Sequence, residues 1–134
     1  MFVLSTKSDY GLLLLSLLAK KPKQRYSINQ ITQEYDLPYS FLSRIASELV
    51  NAKLLTSKEG IHGGYALAKD PKKILLTDIV KALDGSWAPT RCTGGKEKAC
   101  KYETVCPAKD HWKHHLQHKI RSLLASYSLQ DIIR

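Results

Sequence analysis

Residues 27–68 read SINQITQEYDLPYSFLSRIASELVNAKLLTSKEGIHGGYALA, and the fold turns on them. Ser27 and Gln30 have the spacing of a capping box, in which each side chain satisfies a backbone amide at a helix start. Ile28, Ile31 and Tyr35 then mark the apolar side of a short helix. Asp36-Leu37-Pro38 reads as a tight turn. A longer helix is expected from Tyr39 to about Ala52, with Leu42, Ile45, Ala46 and Leu49 facing inward. Two helices separated by three residues make a helix-turn-helix candidate. Leu54–Lys58 and Tyr65–Ala68 are strand-like and flank Glu59-Gly60-Ile61-His62-Gly63-Gly64. A glycine-bearing loop between paired strands predicts a β-hairpin, here in the position of a wing. Gly63 and Gly64 are assigned to the backbone turn.

The flanks extend this plan. Thr6 and Asp9 have capping-box spacing, and Tyr10, Leu13, Leu14, Leu17 and Leu18 recur at helical intervals until Lys20-Lys21-Pro22. After Asp70-Pro71, Thr77 is expected to cap a short helix with Leu76, Ile79, Val80 and Leu83 inward and Gly85 as its stop. Residues 86–106 show no periodicity. Pro107 suits the first turn of a long helix, along which Trp112, Leu116, Ile120, Leu123, Leu124 and Tyr127 recur at threes and fours. Ser128 and Asp131 look like the cap of a final turn. The predicted fold is mainly α with a small β-hairpin wing. Residues 1–85 would form a winged helix-turn-helix domain, 86–106 a cysteine loop, and 107–134 a dimerisation helix with a terminal turn.

Composition narrows the partners. The chain has 134 residues, with 21 Lys and Arg against 12 Asp and Glu and a formal net charge of +9. Such an excess suits a polyanion, nucleic acid first and an anionic membrane surface second. The charge is spread along the sequence without a basic tail, so a DNA-binding face has to be assembled by folding. The Leu12–Leu18 run is too short for a membrane span and lacks a cleavage site, so a cytoplasmic location without membrane association is expected. In a reducing compartment three cysteines make a poor disulfide framework.

Those cysteines are the sharpest chemical feature. Cys92, Cys100 and Cys106 lie within one stretch of fifteen residues, with seven and then five residues between them. This spacing lets a loop wrap three thiolates around one metal centre, and Gly94 and Gly95 let it bend. Cys106 precedes a helix start, where the dipole lowers a thiol pKa and favours ligation. Zinc sites commonly use paired Cys-x-x-Cys knuckles, which are absent. Irregular all-thiolate spacing is at home with iron–sulfur clusters. A fourth ligand is open between the nearby Asp110, His111 and His114 and the distant Asp9.

On the predicted recognition helix, Tyr39, Ser40, Ser43, Arg44 and Ser47 lie opposite the inward stripe. Arg44 suits bidentate contact with guanine, the serines suit phosphate or base edges, and Tyr39 suits packing on the DNA backbone. In the wing, Lys58 and His62 are candidate phosphate or minor-groove contacts. A helix-turn-helix reader usually pairs to bind two half-sites about 34 Å apart, and a long terminal helix offers the pairing surface.

With these residues in view, the chain resembles the Rrf-type family of winged-helix regulators, which has IscR-, NsrR- and RirA-like branches. The resemblance runs end to end. It rests on Leu4-Ser5-Thr6-Lys7-Ser8-Asp9-Tyr10, on Gly63-Gly64-Tyr65-Ala66-Leu67-Ala68-Lys69, and on the cysteine stretch before Trp112. It implies a homodimer on palindromic double-stranded promoter DNA, with Cys92, Cys100 and Cys106 ligating a 2Fe–2S or 4Fe–4S cluster. The cysteine spacing is most similar to the RirA-like branch. Lys109 stands where IscR-like members carry a ligating histidine. Asp9 matches the place of the aspartate that NsrR-like members supply from the other subunit, and it becomes the leading fourth ligand. The wing has Glu59-Gly60-Ile61-His62 where IscR-like wings have Arg-Gly-Pro-Gly, and Ser43-Arg44 replaces a Glu-Gln pair, so the operator sequence does not transfer.

The reading is a DNA-binding transcriptional regulator whose promoter affinity depends on an iron–sulfur cluster. The alternatives are a zinc-stabilised regulator and a cluster-free, thiol-based one. A cysteine-dependent redox enzyme is disfavoured, because no cysteine has a general base in a motif and no nucleotide-binding glycine loop is present.

Overall fold

The computed structural model describes residues 4–85 and 100–133, with the side chains of Trp112 and Lys113 left aside. Its first helix, α1, spans Thr6–Lys20. The cap is Ser5 and not Thr6 as expected: Ser5 is extended at φ −65° and ψ 154°, and its hydroxyl accepts the Ser8 amide at 3.1 Å. Ser5 also donates to Asp84, which favours it over its neighbour as the last non-helical residue. The inward face of α1 is one position off the expected stripe, since Leu15 is fully buried while Leu13 is exposed.

Helix α2 spans Ile28–Tyr35 and carries the complete capping box, with Gln30 N to Ser27 Oγ at 3.1 Å and Ser27 N to Gln30 Oε1 at 2.8 Å. Ile28 and Ile31 are buried, whereas Tyr35 projects from the end of the helix and is exposed. Asp36 then turns the chain in the left-handed conformation at φ 51°, one that aspartate tolerates better than most residues. Helix α3, Tyr39–Asn51, buries Leu42, Ile45, Ala46 and Leu49 as expected. Those four side chains meet Leu14, Leu15 and Leu18 of α1 in one core.

Strands β1 (Leu55–Lys58) and β2 (Gly64–Leu67) pair antiparallel, with Leu55 opposite Leu67 and Lys58 opposite Gly64. Tyr26 pairs with Tyr65 on the far side of β2 through amide–carbonyl bonds of 3.0 and 2.8 Å. The hairpin is therefore tied to the connection between α1 and α2 as well as to its own partner strand. Gly64 has φ 119°, and a Cβ there would lie 2.6 Å from the Tyr26 carbonyl group, so both conformation and close approach require glycine.

A 3₁₀ turn at Pro71–Lys73 leads to α4, Leu76–Asp84. Thr77 is not its cap. The backbone at Leu75 is extended and bridges to Ser128, so the helix begins at Leu76, and the Asp78 carboxylate accepts the Leu75 amide at 3.2 Å. Ile79, Val80 and Leu83 are buried, and Gly85 follows at φ 78°.

The C-terminal part departs most from expectation. Residues 100–108 form turns, and the chain then enters helix in π register over His111–Leu116 before α5, Gln117–Ala125. The expected single long helix is thus broken in register, as happens where an extra residue is accommodated within a turn. The α5 stripe is not a core face: Leu123 and Tyr127 are exposed, and Leu116, Ile120 and Leu124 are half-buried. The final helix α6, Leu129–Ile132, returns to the body. Its start is held by Ser128 N to Asp131 Oδ2 at 2.9 Å, and Leu129 is fully buried, its amide 2.7 Å from the Ile74 carbonyl. The terminal turn therefore belongs with the winged-helix core and not with the preceding helix. No helix among the described residues is long and apolar enough to cross a membrane.

Candidate functional site

Helix α3 is anchored on its inner side and open on its outer side. Phe41 packs edge-on against Tyr10 of α1, with ring centroids 5.2 Å apart at 85°. Together with the four buried aliphatics this fixes the rotation of the helix. Tyr39, Ser40, Arg44 and Ser47 are then exposed, while Ser43 is half-buried. Ser47 donates to the Ser43 carbonyl at 3.1 Å, so its proton is committed to the helix and its oxygen is left as an acceptor. Arg44 enters no ion pair among the described residues. The five expected side chains thus share one surface, with Ser43 the least accessible.

Glu48 is the sole carboxylate of α3, and it is neutralised: Lys7 Nζ lies 2.7 Å from Glu48 Oε2 and donates to the Leu83 carbonyl at 3.0 Å. One ammonium therefore joins α1, α3 and α4 while masking a charge that would repel phosphate. The wing stands on a similar tie. Arg25 donates to the Gly64 carbonyl at 3.2 Å and to Thr56 Oγ1 at 3.3 Å, bracing both strands. Lys58 and His62 are exposed at the hairpin end, together with Glu59 and Ile61.

The two described cysteines sit in the turns after residue 99. Cys100 is half-buried and Cys106 exposed, and neither is in a disulfide. Glu103 N reaches the Cys100 carbonyl at 2.8 Å, Cys106 N the Tyr102 carbonyl at 2.8 Å, and Lys109 N the Cys106 carbonyl at 3.3 Å. Cys106 is therefore at the mouth of the C-terminal helix, where its backbone begins the helical bonding. Cys92 lies outside the described residues. Among the described residues no three histidine, cysteine or carboxylate side chains gather closely enough to hold a metal. Asp110, His111 and His114 are exposed, and the His111 ring stacks on His115 at 5.3 Å. Asp9 is exposed in the first turn of α1.

The start of α1 is locked to the end of α4. Asp84 accepts from Ser5 and, at 2.7 Å, from the fully buried Ser8. Asp84 stands two residues before the segment that holds Cys92, and Ser5 and Ser8 lie in the turn that leads into Asp9.

Residues 4–134 match the Rrf2 family, described as iron-dependent transcriptional regulators. The chain belongs to the Rrf2 family. It is 32% identical over 130 residues to the transcriptional regulator CymR of Bacillus subtilis, covering 96% of this chain and 88% of that protein. It is 30% identical over 131 residues to NsrR of Halalkalibacterium halodurans, covering 97% of this chain and 89% of the relative. The solved structure of B. subtilis CymR, described as the global cysteine regulator of that organism, superposes with a TM-score of 0.77. That superposition covers 99% of this chain and 97% of CymR at 31% identity. This Rrf2 protein is accordingly a DNA-binding transcriptional regulator with the winged-helix fold, and not an enzyme.

Three residues of this Rrf2 chain that organise the site were not anticipated. Arg25 lies in the connection between α1 and α2, and its sequence neighbours carry no sign that it braces the hairpin. Lys7 and Asp84 act across the α1–α4 contact, and nothing in local periodicity pairs them with α3 or with the serines.

Proposed function

We propose that this Rrf2 regulator is a homodimer that binds a palindromic promoter site through α3 and the wing, with affinity set by an iron–sulfur cluster. Cys92, Cys100 and Cys106 hold the cluster, and Asp9, contributed across the dimer, is the fourth ligand. The observation that supports this is the state of the described thiols. Both are free of disulfides, and the exposed one, Cys106, stands where a helix begins. Three soft donors and one carboxylate suit iron–sulfur ligation. When bound, the cluster supplies a centre sensitive to electrons, oxygen and nitric oxide.

The chain's own residues do the rest. Asp84 holds the α4 end against the start of α1, so the cysteine segment departs from a fixed point. Lys7 carries that fixed point to α3. The exposed Leu123 and Tyr127 on and just after α5 supply the apolar face on which a second copy packs. Two recognition helices set about 34 Å apart then meet successive major grooves. A small change in that separation removes phosphate contacts and lowers affinity steeply. DNA contact is assigned to Tyr39, Ser40, Ser43, Arg44 and Ser47 of α3 and to Lys58 and His62 of the wing.

The test is anaerobic purification with iron and sulfide determination and a visible spectrum, followed by promoter binding of holo and apo protein. Equal affinities of the two forms would remove the sensor reading.

A second reading is favoured by the similarity to CymR: a cluster-free regulator whose thiols or bound small molecules set DNA affinity. It predicts colourless protein without stoichiometric iron, and DNA binding that changes on thiol oxidation. A colourless protein with stoichiometric zinc would point instead to a structural metal.

A further inference from the structure

Four of the chain's five histidines fall within residues 111–118, at His111, His114, His115 and His118. Their intervals of three and four place them along one side of a helix, and all four are exposed. Leu116 and Ile120, towards the other side, are half-buried. An apolar partner that covers that side therefore leaves the histidine side in water. Histidine is a middling helix former, so local propensity gives no reason for four of them here. With Asp9 assigned to the cysteine set, these rings have no part in the function proposed above.

Two of the four are already brought together. The rings of His111 and His115 stack with centroids 5.3 Å apart and planes 28° apart. Neither ring enters a hydrogen bond or an ion pair among the described residues. The backbone accounts for the approach, because residues 111–116 run in π register and its wider turn sets residues 111 and 115 one above the other.

Imidazoles in this relation are a chelating pair. Two nitrogens bound to one ion at about 2.0–2.1 Å lie about 3 Å apart in neighbouring coordination positions. The outer torsion of histidine is broad, so tilting the two rings edge to edge closes the difference without moving the backbone. Imidazole suits nickel, copper and zinc, whereas magnesium and calcium take oxygen ligands. Water completes the shell, in keeping with the absence of a three-residue metal cluster among the described residues. The exposed Asp110, next to His111, lowers the repulsion that a basic chain presents to a cation.

We propose that His111 and His115 form a site for a divalent transition metal, nickel, copper or zinc, on the outer side of the C-terminal arm and separate from the cysteine set. The pair exists only while this turn is formed, so the bound ion holds the segment between Cys106 and α5 in its register.

The test titrates nickel ion into tag-free, anaerobic full-length protein, followed by calorimetry and by proton NMR of the imidazole signals. One ion per chain is expected. It broadens His111 and His115 first, with His62 in the wing as the internal control. His111→Ala and His115→Ala each weaken binding by at least about tenfold, since losing merely a hydrogen-bonding partner of a ligand costs that much. Alanine is the better helix former, so both variants keep their helix content. His114→Ala binds as wild type does, and so does the chain with Cys92→Ser, Cys100→Ser and Cys106→Ser together. Nickel also slows amide exchange over residues 115–120 in wild type and not in His115→Ala.

Full affinity in both single variants, or a wild type that binds no nickel, would overturn the proposal. So would loss of the ion in the triple serine variant, which assigns it to the thiols, or an equal loss in His114→Ala, which takes the site away from the stacked pair. Nickel that binds the pair without slowing amide exchange would overturn the ordering role. None of these results bears on whether the cysteines hold a cluster, which iron and sulfide content decides separately.

Discussion

The winged-helix body and the C-terminal arm are built from similar residues and end in opposite states. In the body, each of α1 to α4 turns at least two aliphatic side chains into a common core, and Leu14, Leu15, Leu42, Ile45, Leu49 and Ile79 are fully excluded from water. In the arm, α5 has an equally regular stripe and no buried residue, with Leu123 at 59% exposure. An amphipathic helix pays for its ordering by burying its apolar face. The body does this within one chain; the arm leaves its face open, and the homodimer proposed above closes it.

The largest expected effects test that division. Leu42→Ala should cost about 2–5 kcal/mol, because the cavity it leaves is enclosed by α1 and α3. Urea unfolding at several protein concentrations would measure it, and the loss should persist at each concentration. Leu123→Asp should leave helix content intact and shift the protein towards monomer in sedimentation velocity. A variant that unfolds as Leu42→Ala does, or one that stays dimeric, would break the comparison.

The wing offers a sharper contrast within the body. Gly64→Ala meets both a φ of 119° and a Cβ 2.6 Å from the Tyr26 backbone, so the Tyr26–Tyr65 pairing has to open. Gly60→Ala has a comparable φ of 104° and nothing within 4 Å. The second substitution should cost about 1–2 kcal/mol from conformation alone, and the first clearly more. Thermal denaturation of the two variants side by side reads the difference. Equal losses would mean that the hairpin base is not tied to Tyr26.

These examples also mark what a linear reading could reach. The capping box at Ser27 and Gln30, the tight turn at Asp36-Leu37-Pro38 and the inward face of α3 were legible because each is decided by residues close in sequence. The cap of α1 slipped by one because Ser5 is chosen by Asp84, seventy-nine positions away. The start of α4 moved from Thr77 because residue 75 pairs with residue 128, again a non-local bond. The stripe of α5 was correctly periodic, yet periodicity reports that a face is apolar and not what covers it. For the same reason the α3 and wing residues were identified as a surface, whereas Arg25 and Lys7, which aim that surface, were not.

Asp84 connects the two regions, and its loss should have a moderate effect. Asp84→Ala leaves the Ser8 hydroxyl fully buried without its acceptor, a cost of about 1–3 kcal/mol. Ser8→Ala removes the buried hydroxyl together with its need for a partner and should cost less. Thermal melts of both variants, with the double variant recovering much of the stability lost in Asp84→Ala, would establish the coupling. An Asp84→Ala protein as stable as wild type would show that the start of α1 is held by packing alone.

The smallest effect on stability belongs to Lys7, and it separates folding from recognition. Its ion pair with Glu48 is about one-third exposed on both sides, so Lys7→Ala should cost no more than about 1 kcal/mol. Its effect on DNA should be larger in proportion. Without Lys7 the sole carboxylate of α3 is unmasked beside the phosphates, and affinity should fall several-fold at low salt. The loss should shrink as salt screens the charge. Glu48→Ala in the same protein should restore most of the affinity, because the repelling charge is then gone. If the double variant binds no better than Lys7→Ala, then Lys7 acts by positioning α3 through the Leu83 carbonyl, and the electrostatic account of the helix is wrong.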